Sequence, residues 1–390
     1  MSKKNILATW LGKTHEGARA VKISPEQELR RTVMACFLWE DTFYETGEAV
    51  ADRIKDLVGK VPAAKVIEMA IEARTKHQLR HVPLWLLVAL IQKKSPSEAE
   101  RGLIGRAIPE VIGRPDELGE FLALYWKDGK LPLTRQMKIG LANAFKKFNE
   151  YSLAKYDSDK AAIKLRDVMF LCHPRPDNDD QKALFQRVAE RTLKTPDTWE
   201  VALSGGANKK ETFERLMAER KLGVLAFIRN FRNMSRAGVE KDTVRGYAST
   251  LKVEKALPFR FIAAARAVPA WSDIAEEMML RCLNRHDTLM GKTVIVVDNS
   301  GSMHGTRISR RSDLDRADAA GAVAVLIREV CEDCAVIGYG TLAEVVPAHF
   351  HGLSLIDAIR RGPGGGTDTG KALELANSLG YDRIIVITDE

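Results

Sequence analysis

Cysteine is scarce and odd in number. There are five among 390 residues, scattered along the chain, which suits a reducing cytoplasm better than a disulfide framework. One pair, Cys331-Glu-Asp-Cys334, has C-x-x-C spacing, but no second pair accompanies it. A structural or incidental role is therefore favoured over zinc or redox work. No uncharged apolar run reaches membrane-spanning length. The opening residues, Met-Ser-Lys-Lys-Asn-Ile-Leu-Ala-Thr-Trp, contain no signal-peptide apolar core. The Gly364–Gly366 run is not followed by Gly-Lys-Ser/Thr, which argues against nucleotide hydrolysis. No Ser-His-Asp or paired-carboxylate signature can be argued, so a nuclease or other hydrolase lacks its base. These absences lead us to expect a cytoplasmic, non-enzymatic protein without a membrane partner.

What is present is organised around Thr293-Val-Ile-Val-Val-Asp-Asn-Ser-Gly-Ser302. Thr293 to Val297 is an unbroken β-branched run, the pattern of a strand covered on both faces. Asp298, Ser300 and Ser302 follow at alternate positions, and Gly301 permits a tight turn. A carboxylate and two hydroxyls on one loop are hard oxygen donors suited to Mg²⁺. Gly364-Gly-Gly-Thr367 opens a helical pattern and offers another hydroxyl. Ile384-Ile-Val-Ile-Thr-Asp389 is a second buried strand ending in a carboxylate. In open α/β sheets, ligands bind outside the carboxyl ends of the strands, so one ion could touch Asp298 and Asp389 together. The D-x-S-x-S … T … D order resembles the metal-ion-dependent adhesion site of a von Willebrand factor A domain. The resemblance assigns Asp298, Ser300, Ser302, Thr367 and Asp389 to direct or water-mediated contacts with a divalent cation. Any one segment alone reads as a Ser/Gly turn beside an unrelated aspartate; three in the right order favour the metal site.

From Pro25 to about Asn284 the pattern is helical, after a polar arm at residues 1–25. Glu26 to Leu57 carries Leu29, Val33, Cys36, Phe37, Phe43, Val50 and Ile54 at broadly helical spacing. Pro83–Lys93 is apolar nearly all round and should be buried. Leu133–Asn149 is the clearest amphipathic helix, with Arg135 and Lys138 off its apolar stripe. Some thirteen short helices cannot all surround one core, and stacked pairs in a HEAT-like repeat solve that problem. The six tryptophans read as packing residues. After residue 288 the pattern alternates: strands Thr293–Val297, Ala335–Tyr339, Ala343–Pro347 and Arg383–Thr388, with helices between them. This predicts a doubly wound parallel sheet with one antiparallel edge, in an A domain spanning 289–390. Because residue 390 follows a central-type strand, we expect this domain to be truncated after its fourth strand, or completed by another polypeptide.

Charge is uneven. Gly291 to Glu390 holds 10 basic and 14 acidic residues, a net of −4, within a chain of net +8. The excess of +12 therefore lies in residues 1–290 and suggests an anionic partner, with nucleic acid the leading candidate. The densest run is Tyr151, Lys155, Tyr156, Lys160, Lys164, Arg166, His173 and Arg175. Basic groups neutralise phosphates, while aromatic and imidazole rings engage unpaired bases. A solvated basic face with a helix-terminal histidine is the plainer alternative.

Leu165-Arg-Asp-Val-Met-Phe-Leu-Cys-His-Pro-Arg-Pro176 resembles a segment of the TROVE domain of the Ro autoantigen and its bacterial orthologues. Thr198–Gly206 and Leu222–Met234 resemble two further blocks. The order, TROVE at 26–288 then A domain, is that of Ro proteins. The resemblance implies a ring of helical repeats. It also implies small non-coding Y-type RNA on an outer basic face, and single-stranded 3′ ends of misfolded RNA in a central hole. It places Lys155 and His173 on RNA-contact positions and Lys160 near a third; Arg175, Arg135 and Lys138 are further candidates on the basic surface. An exoribonuclease is an implied partner. The alternative function is a protein-interaction scaffold with a metal-bridged partner and no RNA role.

Overall fold

The computed structural model describes residues 23–35, 46–93, 97–254, 256–283, 287–305, 307–308 and 314–389. Expectations for residues 1–22, for Cys36, Phe37 and Phe43, and for Trp10 and Trp39 fall outside these. Contacts divide the chain into two compact units between Pro196 and Asp197. Among the described residues no helix is long and apolar enough to cross a membrane.

The first unit contains α1 (Pro25–Ala35), α2 (Gly47–Lys60), α3 (Ala63–Thr75), α4 (His81–Gln92), α5 (Glu98–Val111), α6 (Asp116–Tyr125), α7 (Arg135–Phe145), α8 (Glu150–Tyr156), α9 (Leu165–Cys172) and α10 (Asp179–Glu190). The pattern read as continuous from Glu26 to Leu57 is two helices. Thr46 starts the second by accepting the Ala49 N–H at 3.2 Å, an N-cap that satisfies an otherwise orphaned donor. Ser97 and Glu100 form a reciprocal capping box at the start of α5. Helices two apart in sequence touch: α2 with α4 and α4 with α6, then α3 with α5 and α5 with α7. That is two-layer stacking of a HEAT-like kind. Helix α4 is the buried axis, with Val82 to Leu90 all inaccessible. Helices α5 and α7 cross at glycine: a Cβ on Gly140 would stand 2.6 Å from the Gly105 carbonyl oxygen. One charge pair is sealed inside. Glu117, fully buried, accepts two bonds from Arg74 Nη2 at 3.1 and 2.9 Å and the N–H groups of Gly113 and Arg114 at 2.7 and 3.1 Å.

The second unit opens with α11 (Trp199–Ser204), α12 (Lys209–Ala218), α13 (Val224–Arg229), α14 (Phe231–Arg236), α15 (Lys241–Thr250), α16 (Pro258–Ala267) and α17 (Ser272–Leu280). A sheet follows, made of β1 (Leu289–Asp298), β2 (Cys331–Tyr339), β3 (Ala343–Val346) and β4 (Arg383–Ile387), with α18 (Arg316–Val330), α19 (Gly352–Arg361) and α20 (Thr369–Leu379). Strand order is β3-β2-β1-β4, parallel except for the antiparallel β2–β3 pair. This is the predicted layout, although β1 begins earlier, at Leu289, and α11 was not anticipated. Ile295 and Val297 face one core and Val294 and Val296 the other, each fully buried. Period-2 alternation in a strand covered on both sides explains why the run is β-branched throughout.

The core on the Ile295 face does not stop at residue 288. Phe227, Phe231, Phe261 and Trp271 join it with Ala324, Val325 and Ile356, and Phe231 meets Phe227 and Trp271 edge-on at 5.2 and 5.5 Å. Charge crosses the same seam. Buried Asp318 on α18 receives Arg266 from α16 and Arg360 from α19. Burial raises its pKa above the ordinary aspartate value, and the two guanidinium groups pull the other way.

Candidate metal centre and nucleic-acid interface

Asp298 and Tyr339 are register partners at the carboxyl ends of β1 and β2, and Asp389 lies just beyond β4, the other neighbour of β1. The adjacency expected of the two aspartates is therefore built by strand order. Asp298 is buried. Its Oδ1 accepts the Ser300 N–H at 2.8 Å and its Oδ2 the Thr388 hydroxyl at 2.9 Å. The Ser302 hydroxyl lies 3.3 Å from that of Ser300 and donates to Asp389 Oδ1 at 3.4 Å. Asp298, Ser300, Ser302 and Asp389 thus form one connected cluster.

The glycine loop reaches the same place. Gly301 N–H donates to Gly365 O at 2.8 Å, and Thr341 N–H to Gly364 O at 2.9 Å. Buried Asn299 fastens the approach to this loop, its Nδ2 donating to the carbonyls of Gly362 and Pro363 at 3.2 and 3.1 Å. Thr367 lies on the loop, exposed. Gly340 must be glycine for a packing reason: a Cβ there would sit 2.4 Å from Gly364 O and 2.8 Å from its Cα. Gly340→Ala should push the loop outward, with a stability loss of about 1–3 kcal/mol. A urea melt checks the stability, and a divalent-ion titration should show weaker binding. An unchanged titration would mean the loop contributes nothing to the site.

Sequence reasoning missed three neighbours. Thr388 supplies the hydroxyl on Asp298. Tyr339, fully buried, lies close enough for Asp298 to act on it electrostatically; burial is the main reason its phenol titrates above the usual range. Arg316, on α18, forms an ion pair with Asp389 Oδ2, with only 19% and 8% of the two side chains exposed. None has a local signal, since all three are brought in by strands and helices distant in sequence. The residues fit a hard divalent ion, because every donor is a carboxylate or hydroxyl oxygen. Among the described residues no group of three or more His, Cys, Asp or Glu could hold a metal, so the two carboxylates depend on hydroxyls to complete a set. The C-x-x-C pair lies in β2, and burial pushes the Cys334 thiol up to about 12, which fits an inert role.

Lys155, Lys160, His173, Arg175, Arg135 and Lys138 are all exposed. Their side chains form no ion pair among the described residues, whereas several basic neighbours are engaged. Lys164 and Arg191 hold Asp159, Lys146 holds Asp177, and Arg187 holds Glu150. Lys155 Nζ stands 5.9 Å from the ring centres of both Tyr151 and Tyr156. His173 ends α9 in the left-handed region, at φ 50° and ψ 60°, its N–H on Met169 O at 2.9 Å. That conformation is uncommon for a non-glycine residue and turns the chain out immediately after the helix. Helices α7 and α9 are packed neighbours, which places Arg135 and Lys138 on the element beside His173. Sequence reasoning missed Arg114, whose guanidinium lies 4.4 Å over the Tyr156 ring, and exposed Phe170, beside Arg166 at 5.3 Å. Trp85 and Trp271 are core residues.

Residues 187–281 match the TROVE domain, and residues 293–390 match a von Willebrand factor type A domain. The chain therefore carries a TROVE match followed by an A-domain match, in the order expected from the sequence. Of the blocks carrying the resemblance, Thr198–Gly206 and Leu222–Met234 lie inside the TROVE match, and Leu165–Pro176 precedes it. The crystal structure of the Deinococcus radiodurans Ro (RSR) protein is similar in fold. It superposes with a TM-score of 0.66 at 17% identity, over 93% of this chain and 86% of that one. No curated protein sequence matches. The oxygen-donor cluster lies within the A-domain match, whereas the unpaired cations, at residues 135–175, precede the TROVE match.

Proposed function

We propose that this chain is a non-catalytic RNA-binding protein acting in RNA quality control in the cytoplasm, as a scaffold or as an adaptor for an exoribonuclease. Small structured, Y-type RNA lies across the exposed face that carries Lys155, Lys160, His173, Arg175, Arg135 and Lys138. Single-stranded 3′ ends of misfolded RNA enter the opening of the helical ring that the Ro resemblance implies. One observation carries the reading: these groups stay exposed and without ion pairs among the described residues, while Lys146, Lys164, Arg187 and Arg191 around them are neutralised by carboxylates. Unneutralised cations beside Tyr151 and Tyr156 suit phosphates with unpaired bases next to them. Recognition then rests on RNA shape and a free strand rather than on base sequence. Asp298, Ser300, Ser302, Thr367 and Asp389 would hold Mg²⁺, and a bound ion would give an acidic side chain of a protein partner a docking point.

The test is a salt titration of binding to a structured RNA with a single-stranded 3′ tail. Wild type should show a log-log slope of several units. Lys155→Ala/His173→Ala should bind roughly tenfold or more weakly, with a shallower slope and an unchanged circular dichroism spectrum. A flat salt response would instead favour a protein-interaction scaffold without an RNA role.

A further inference from the structure

A second cationic feature lies in the other compact unit, between the start of α12 and the end of α14. A pocket of about 340 Å³ is lined by Asn208, Lys209, Lys210, Asn233, Arg236 and Ala237. Its lining has three cations and no carboxylate. Lys210 has only Glu214, at 3.9 Å; Lys209 and Arg236 form no hydrogen bond or ion pair among the described residues. The contrast with nearby cations is sharp. Arg215 and Lys221 are consumed by Asp197, at 2.8 Å each, and both also touch Glu219. Asn208 spends its side-chain oxygen on the Glu211 N–H at 3.2 Å, so its amide NH₂ remains as a donor.

The positive charge continues away from the pocket. Asn230 links α13 to α14, donating to Ala226 O at 2.8 Å and accepting the Met234 N–H at its carbonyl, also at 2.8 Å. Arg232 and Arg236 recur at i, i+4 spacing on one exposed face of α14, and exposed Arg229 closes α13 just before it. Arg232 stands about 6 Å along the axis from Arg236, at about 1.5 Å per residue. Arg260 is close enough to Arg229 that, with burial the larger cause, its pKa is held below the ordinary arginine value. Like charges left together without carboxylates cost folding stability, and such a surface suits an anionic partner. At about 30 Å³ per water, the pocket has room for a phosphate group and several waters.

We propose that this pocket binds a phosphate group of an RNA strand, held by Lys209, Lys210, Arg236 and the amide of Asn208, and that Arg232 and Arg229 take the following backbone phosphates. The proposal rests on the RNA-binding reading and adds a contact region separate from the Lys155 and His173 face. The phosphate is either internal to the strand or its terminal monophosphate.

The full chain is titrated with a single-stranded 12-nucleotide RNA bearing either a 5′-phosphate or a 5′-hydroxyl, over a range of salt. Lys209→Ala/Arg236→Ala should lose about tenfold or more in affinity. Its log-log slope should fall by about 1.4, from two contacts at roughly 0.7 each. Lys209→Arg/Arg236→Lys, which keeps both charges, should retain the wild-type slope. Equal losses on both oligonucleotides assign the site to an internal phosphate, and a loss confined to the 5′-phosphorylated one assigns it to the terminus. Wild-type affinity and slope in the double-alanine variant would overturn the pocket. If Lys155→Ala/His173→Ala still lost structured RNA in that case, the broader reading would survive. Absence of any RNA binding by wild type would remove both.

Discussion

Arg74→Ala should be the most destabilising single surface-to-core substitution in the first unit, costing about 3–5 kcal/mol. Glu117 would remain at zero exposure with its carboxylate stripped of two bonds. The N–H groups of Gly113 and Arg114 would remain, with Arg80 Nε no nearer than 3.4 Å to Oε1. Removing one partner of a buried pair is expensive because the other cannot reach water, even where the intact pair adds little. The measurement is a urea unfolding curve followed by helical circular dichroism, in which the earlier transition should move to lower denaturant. Arg74→Met combined with Glu117→Leu should recover most of the loss, because it removes both charges. A single variant within 1 kcal/mol of wild type, on the scale of an exposed ion pair, would show that Glu117 is solvated or protonated in the folded chain.

The second large effect concerns the oxygen cluster. Asp298→Asn keeps the shape of the side chain and an acceptor for the Ser300 N–H or the Thr388 hydroxyl, but removes one of two carboxylates. Loss of an outer-shell partner costs a metal site roughly 10–100-fold in affinity. Loss of a charged ligand here should cost at least the upper end of that range. Titration calorimetry with Mg²⁺ or Mn²⁺ should give one site in wild type and no measurable heat in the variant. Wild type should also gain about 2.7 kcal/mol of stability at an ion concentration 100 times its dissociation constant, and the variant should gain none. Equal titration curves for the two proteins would place the ion elsewhere or nowhere.

Much of the architecture could be read from short-range patterns. The β-branched run Thr293–Val297 announces a strand covered on both faces, and its residues do alternate between two cores. The carboxylates after two parallel strands implied adjacency, which the order β2-β1-β4 provides. The helical series was legible because apolar spacing near 3.6 residues leaves a local signature. What was lost was also local. The long pattern from Glu26 to Leu57 concealed the boundary at Thr46, and the helix expected from Gly223 to Met234 is interrupted at Asn230.

The sequence by itself determined most of the helices and the order of the strands, which loop carries the oxygen donors, and that the positive charge lies before residue 291. These depend on residues within a turn or two of each other. Only the tertiary structure decided which charges remain free. Lys164 and Lys155 look alike in sequence, yet Asp159 takes the first and nothing acidic takes the second. Arg316 reaches Asp389 across 73 residues, and Arg74 reaches Glu117 across 43. Coulomb attraction acts through space rather than along the chain, so the count of basic residues was visible at once, but the subset left to meet a phosphate appeared only after folding had matched the rest with their carboxylates.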